Sequence, residues 1–201
     1  MSAGVHARSS TRVCARMAHR GARLLAASVA LAMCACSNTD KTANADGKTG
    51  GAVSDGRVEI GAPAPQFATL SLDGDSVSLA KNRGKVVLMN IWATWCHPCR
   101  TEIPELVALH ARYHDKGLET IGVSVDTDGT DDAIRTFVND FHMVFPIWRD
   151  PDERTTALFR TVGVPSTYLI DKNGILRWRK IGPIAPGDTS LTNAIERALG
   201  S

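Results

Sequence analysis

Trp95-Cys96-His97-Pro98-Cys99 sets two thiols two residues apart, just after the apolar run Val86-Val87-Leu88-Met89-Asn90-Ile91-Trp92. A helical pattern of apolar residues begins at Cys96, so the pair lies where a buried strand hands over to a helix. At such a terminus the orphan N–H groups and the helix dipole favour negative charge, and the Cys96 thiol should ionise more readily than a free one. One helical turn brings the two sulfurs close enough to bridge, and Pro98 is tolerated in a first turn, where its missing N–H costs little. The chemistry expected is thiol–disulfide exchange. An exposed Cys96 thiolate attacks a partner disulfide, and the more buried Cys99 resolves the mixed disulfide. Two readings stand for His97: assistance in binding copper, or a solvent-facing residue that tunes the neighbouring sulfur. A structural zinc site needs four ligands, and no second Cys or His pair follows at suitable spacing, so no metal is expected.

The elements that must hold this pair alternate between strand and helix. Val86–Trp92 is nearly continuously apolar, as in a strand buried on both faces. The helix from Cys96 carries Ile103, Leu106, Val107 and His110 on one face. Ile121, Val123 and Val125 alternate as a second strand. Thr130 is expected to cap a helix with Asp131 and Asp132 in its first turn and Ile134, Phe137, Val138 and Phe141 as its buried stripe. Val144–Trp148 is a further short strand. Ser166–Ile170 and Ile175–Lys180 flank the turn Asp171-Lys172-Asn173-Gly174, and a last helix near Thr189 buries Leu191, Ile195, Ala198 and Leu199. Ahead of the first long strand, Val58–Ala68 and Ser76–Leu79 read as short strands around Asp73-Gly74-Asp75. This order predicts an α/β domain over 57–201, a central mixed sheet with helices on both faces and an N-terminal β-hairpin extension.

The remainder of the 201-residue chain reads as an address. Five of its 23 Lys and Arg, namely Arg8, Arg12, Arg16, Arg20 and Arg23, precede Cys36 with no acid among them; the other 18 face all 21 acids. The net charge of +2 thus belongs to the leader, and no basic stripe suggests nucleic acid. Leu24–Ala35 is an uncharged stretch too short to span a bilayer, so 1–36 reads as a signal peptide, with Met17 an alternative start. Its end, Met33-Cys34-Ala35-Cys36, resembles a bacterial lipobox in which Cys36 would be lipidated. A cleaved secretory signal with incidental cysteines and an uncleaved anchor are the other readings. Residues 37–56 carry one aliphatic side chain larger than alanine and no periodicity; they read as a flexible tether with a reach of about 25 Å. Of five cysteines, Cys14, Cys34 and Cys36 lie in the leader, which leaves one close pair and no disulfide framework.

Residues from about 57 to 200 resemble the TlpA/ResA-type family of membrane-tethered thioredoxin-like proteins, related to the reductants of cytochrome c maturation. The likeness is carried by Asn90-Ile91-Trp92-Ala93-Thr94-Trp95-Cys96-His97-Pro98-Cys99-Arg100-Thr101-Glu102-Ile103-Pro104 and by Gly163-Val164-Pro165-Ser166-Thr167. It implies a thioredoxin-like fold with a cis peptide before Pro165. The Val164 backbone would then pair with an extended substrate peptide, beside Trp95. An ordinary loop proline is the alternative for Pro165. Glu102 matches an acid that the ResA branch uses near its cysteines; the alternative is a first-turn acid that complements the helix dipole. Pro104 matches a kink proline, and Asn90 replaces the buried aspartate of thioredoxin proper. The resemblance further implies periplasmic or outer-surface localisation and cysteine-containing protein substrates, with apocytochrome c as one candidate. A membrane thiol–disulfide electron donor would supply electrons, and no cofactor is implied.

Three rival functions are weighed against this reading. A peroxiredoxin-type antioxidant needs a proline and a threonine upstream of its cysteine, where Met89 and Ala93 stand. A Sco-like copper-delivery module uses a wider cysteine spacing and a distal histidine. A general protein-disulfide oxidant shares the motif, because no residue pattern sets the direction of electron flow.

Overall fold

The computed structural model describes residues 58–200, so the expected signal, Cys36 and the 37–56 tether lie outside the described residues. A short hairpin, β1 (Ala68–Leu70) and β2 (Ser76–Ser78), precedes the main sheet. There follow β3 (Val86–Trp92), α1 (His97–Tyr113), β4 (Leu118–Ser124), α2 (Asp131–Asp140), β5 (Ile147–Arg149) and α3 (Arg154–Leu158). The chain then closes with β6 (Ser166–Ile170), β7 (Leu176–Ile181) and α4 (Thr189–Gly200). The five-stranded sheet has the order β5-β4-β3-β6-β7. β3 runs parallel to β4 and antiparallel to β6, so the sheet is mixed, as expected.

The central strand is buried along its whole length, which requires cover on both faces of the sheet. α1 and α4 are tied together where the Tyr113 hydroxyl donates to Glu196 Oε1 at 2.8 Å. α2 lays Phe137 against Trp92, with ring centroids 4.8 Å apart. Gly122 of β4 is a glycine for a packing reason. A Cβ there would come within 2.9 Å of Trp92 Nε1 and 3.0 Å of Ile147 Cδ1.

Two expectations change. No strand forms over most of the expected Val58–Ala68, and β1 begins only at Ala68, because Pro63 and Pro65 cannot donate to a ladder. What precedes it still has a job at the sheet edge. Gly61 N donates to Leu176 O, and Leu176 N to Ala62 O, so the segment lies along the outer side of β7. At the opposite edge Leu72 N donates to Ile147 O of β5. The N-terminal extension thereby covers both sheet edges, which would otherwise present unpaired backbone. The strand expected at Ile121 and Val123 is β4, buried on both faces; it ends at Ser124, one residue short of Val125. Thr130 stands at the N-terminal boundary of α2 without capping it, since its hydroxyl donates back to Thr127 O. α3 carries no sequence expectation; it is only five residues long, and Asp150 accepts at its start from Arg154 N and Thr155 N.

Candidate active site

The two cysteines are joined in a disulfide, with Cα atoms 5.3 Å apart. Cys96 is the N-cap residue of α1, and its sulfur accepts from the Cys99 N–H at 3.2 Å. An anionic sulfur in that place would meet the N–H groups and dipole of the helix start. Pro98 lies in the first turn, where no intrahelical N–H is missed. Cys96 is not exposed as expected: it is 3% accessible and Cys99 fully buried. The N-cap sulfur turns inward onto the helix and bridges to a residue one turn inside. Exposure falls instead to Trp95 (66%), His97 and Pro98 around it.

The loop that delivers Cys96 is held by Asp126, a residue that sequence reasoning missed. Thr94 donates to the Asp126 carboxylate through both its N–H and its hydroxyl, at 3.0 and 2.6 Å. Ser124 Oγ adds a third donor at 2.8 Å. Arg149 in turn donates to the carbonyls of Asp126 and Thr127 and pairs with Asp131 at 2.9 Å. Arg100 donates to Thr94 O at 3.0 Å and lies over the Phe137 ring, 4.9 Å from its centroid. A usable signal was present. Parallel neighbours end side by side, so an acid just after the second strand adjoins the loop just after the first.

Pro165 follows a cis peptide bond, and the pairing of Ile91 with Ser166 sets its loop at the same end of the sheet as Cys96. The loop is tightly tied. Thr161 Oγ1 and Ser166 Oγ both donate to Gly163 O, at 2.9 and 2.7 Å, and Gly182 N donates to Pro165 O at 2.9 Å. Pro165 is buried and Val164 half-buried. The Val164 amide and carbonyl have no hydrogen-bond partner among the described residues.

Glu102 sits one turn beyond Cys99 and is fully buried. It therefore cannot act as a first-turn acid facing solvent. Asn90 Nδ2 donates to its Oε1 and the Ile184 N–H to its Oε2, both at 2.8 Å. Burial pushes its carboxyl up to about 7, against the opposing pull of the Ile184 and Asn90 donors and the Lys180 charge. Asn90 comes from the central strand, and Ile184 from the loop after β7. The acid is thus held by two elements far from its own helix. Among the described residues no group of three His, Cys, Asp or Glu gathers as a metal site.

A mixed sheet with a Cys-X-X-Cys disulfide at a helix start and a cis-proline loop beside it defines a thioredoxin-like thiol–disulfide oxidoreductase. Relatives agree. The chain is 36% identical over 118 residues to the thiol-disulfide oxidoreductase ResA of Bacillus anthracis, covering 59% of this chain and 67% of that protein. Against ResA of Geobacillus kaustophilus it is 33% identical over 144 residues, 72% and 78% of the two chains. Among solved structures it resembles a thiol:disulfide interchange protein of the thioredoxin family from Chlorobium tepidum, with a TM-score of 0.60 and 26% identity. That match covers 71% of this chain and 99% of the other. Residues 60–179 match the AhpC/TSA family, and the chain belongs to it.

Proposed function

We propose that the protein is an exported, membrane-tethered reductant of protein disulfides, in which Cys96 attacks, Cys99 resolves and Glu102 carries protons. The reduced Cys96 thiolate attacks one sulfur of a partner disulfide, and the partner's other sulfur leaves and takes up a proton. Cys99 then loses its proton and attacks the Cys96 sulfur, and the partner's second thiol departs. The partner has gained two electrons and two protons, and Cys96–Cys99 is left oxidised. A membrane thiol–disulfide donor would restore the dithiol. The observation that carries this reading is the N-cap placement of the Cys96 sulfur, which can accept from an orphan N–H as a thiolate while Cys99 lies a turn inside.

Exposed Trp95 and the unpartnered Val164 backbone support an extended substrate peptide laid across the disulfide. The leader and the lipobox-like Cys36 support export and a lipid anchor at the periplasmic or outer face of a bacterial membrane. In such a compartment disulfides arise without help, which favours a reductant. Substrates with paired cysteines fit best, with apocytochrome c haem-attachment segments as the leading candidate. His97 and Pro98 would set the stability of the bridge. Trapping tests the division of labour. Cys99→Ser should accumulate covalent mixed disulfides through Cys96 in membranes, and Cys96→Ser should accumulate none. If only Cys96→Ser traps partners, the nucleophile is Cys99.

A further inference from the structure

Asn90 is fully buried, and its two ends are unequally used. Nδ2 donates twice, to Glu102 Oε1 at 2.8 Å and to Thr167 Oγ1 at 2.9 Å. Oδ1 is buried with no hydrogen-bond partner. This arrangement suits an ionised Glu102, whose oxygens both accept. A protonated Glu102 has a different problem. The Ile184 backbone N–H can only donate, so Oε2 must remain an acceptor and the proton belongs on Oε1. There it would set donor against donor across 2.8 Å unless the amide changed ends.

We infer that the Asn90 side-chain amide turns over when Glu102 takes up a proton, serving the carboxylate as a double donor and the acid as a double acceptor. Three features make the turnover inexpensive. Oδ1 forfeits no partner by moving, because it has none. Thr167 can reverse its hydroxyl from acceptor to donor by rotation. The register pins Thr167 directly opposite Asn90, so the contact persists through the change. One unpartnered amide atom remains in either state, so neither orientation is locked. An aspartate at this position would offer no N–H to the ionised form, and an apolar residue would serve neither form. Asn90 is thus a positioning residue that lets one carboxyl exist in both protonation states inside the core. Its relevance to turnover rests on the reading of Glu102 as the proton carrier. The charged group acting on Glu102 is Lys180 of β7, itself paired with Asp188 at 2.9 Å; the neighbouring Cys99 of α1, held in the disulfide, carries no charge.

Side-chain amide NMR of the oxidised protein, where neither cysteine titrates, reads the turnover directly. Above pH 8.5 the Asn90 Hδ2 protons should show contacts to the Thr167 side chain. Below pH 5.5 those contacts should be lost, with the midpoint of the Glu102 carboxyl 13C titration. In Glu102→Gln the Ile184 N–H pins the glutamine oxygen, so its NH2 faces Asn90 and the amide should be turned at every pH. Unchanged Thr167 contacts across the pH series overturn the inference. If the variant does not fold, the wild-type series alone decides. The proton-carrier reading is tested separately, by the pH dependence of Cys96 attack in reduced Glu102→Gln. An unchanged profile sinks that reading and leaves the amide turnover standing or falling on its own data.

Discussion

Replacing Glu102 by glutamine should make the protein gain stability at alkaline pH relative to the wild type. In the folded state the carboxyl titrates at about 7 against an ordinary 4.5, so folding raises its proton affinity. The sign follows from linkage. Between those values the folded protein binds more protons than the unfolded chain, so the stability present below about pH 4.5 is lost as the pH rises through 7. That displacement corresponds to about 3 kcal/mol lost by the wild type between pH 4 and pH 9. Glutamine has no charge to bury and escapes the loss. Every other titrating group is common to both proteins and cancels in the difference. The variant's stability relative to wild type should therefore move in its favour by about 3 kcal/mol over that range, or roughly 10 °C in melting temperature for a domain of this size. Urea titrations and thermal melts of the oxidised proteins at pH 4, 7 and 9 measure it. An offset that is constant with pH, whatever its sign, refutes the assignment of this carboxyl as the buried group titrating near neutrality.

The reduction potential of the Cys96/Cys99 couple, equilibrated against glutathione, should lie below about −200 mV; a value near roughly −120 mV would mark an oxidant. Asp126→Ala strands the Thr94 N–H and hydroxyl and Ser124 Oγ. Urea unfolding should show a loss of about 2–3 kcal/mol, and thiol exchange at Cys96 should slow; wild-type stability would mean that Asp126 does not hold the loop. Gly122→Ala drives a Cβ to within 2.9 Å of Trp92 Nε1, so overpacking should cost about 1–3 kcal/mol and shift the near-UV signal of Trp92. Cys36→Ser should release the protein from the membrane fraction and remove a diacylglycerol mass; unchanged attachment rules out the lipid anchor.

Local pattern was sufficient wherever one segment carried its own physics. Val86–Trp92 is apolar except at Asn90, the pattern of a strand covered on both sides, which is what the fold provides. The thiol pair, its position at a helix start and the Asp171–Gly174 turn between β6 and β7 were likewise legible, because each depends on residues within a few positions of one another. Where proline spacing competed with apolar alternation, at Val58–Ala68, the local reading overshot. The absence of N–H donors at Pro63 and Pro65 outweighed the pattern. What tertiary structure alone decided is the environment of the chemistry. Thr94 meets Asp126 across 32 residues, and Glu102 meets Asn90 across 12 and Ile184 across 82. The sequence determined that Glu102 lies a turn beyond Cys99. Only the packing of β3, α1 and the loop after β7 took that carboxyl out of water and matched each oxygen to a donor, because desolvation is a property of everything around a group and not of its neighbours in the chain.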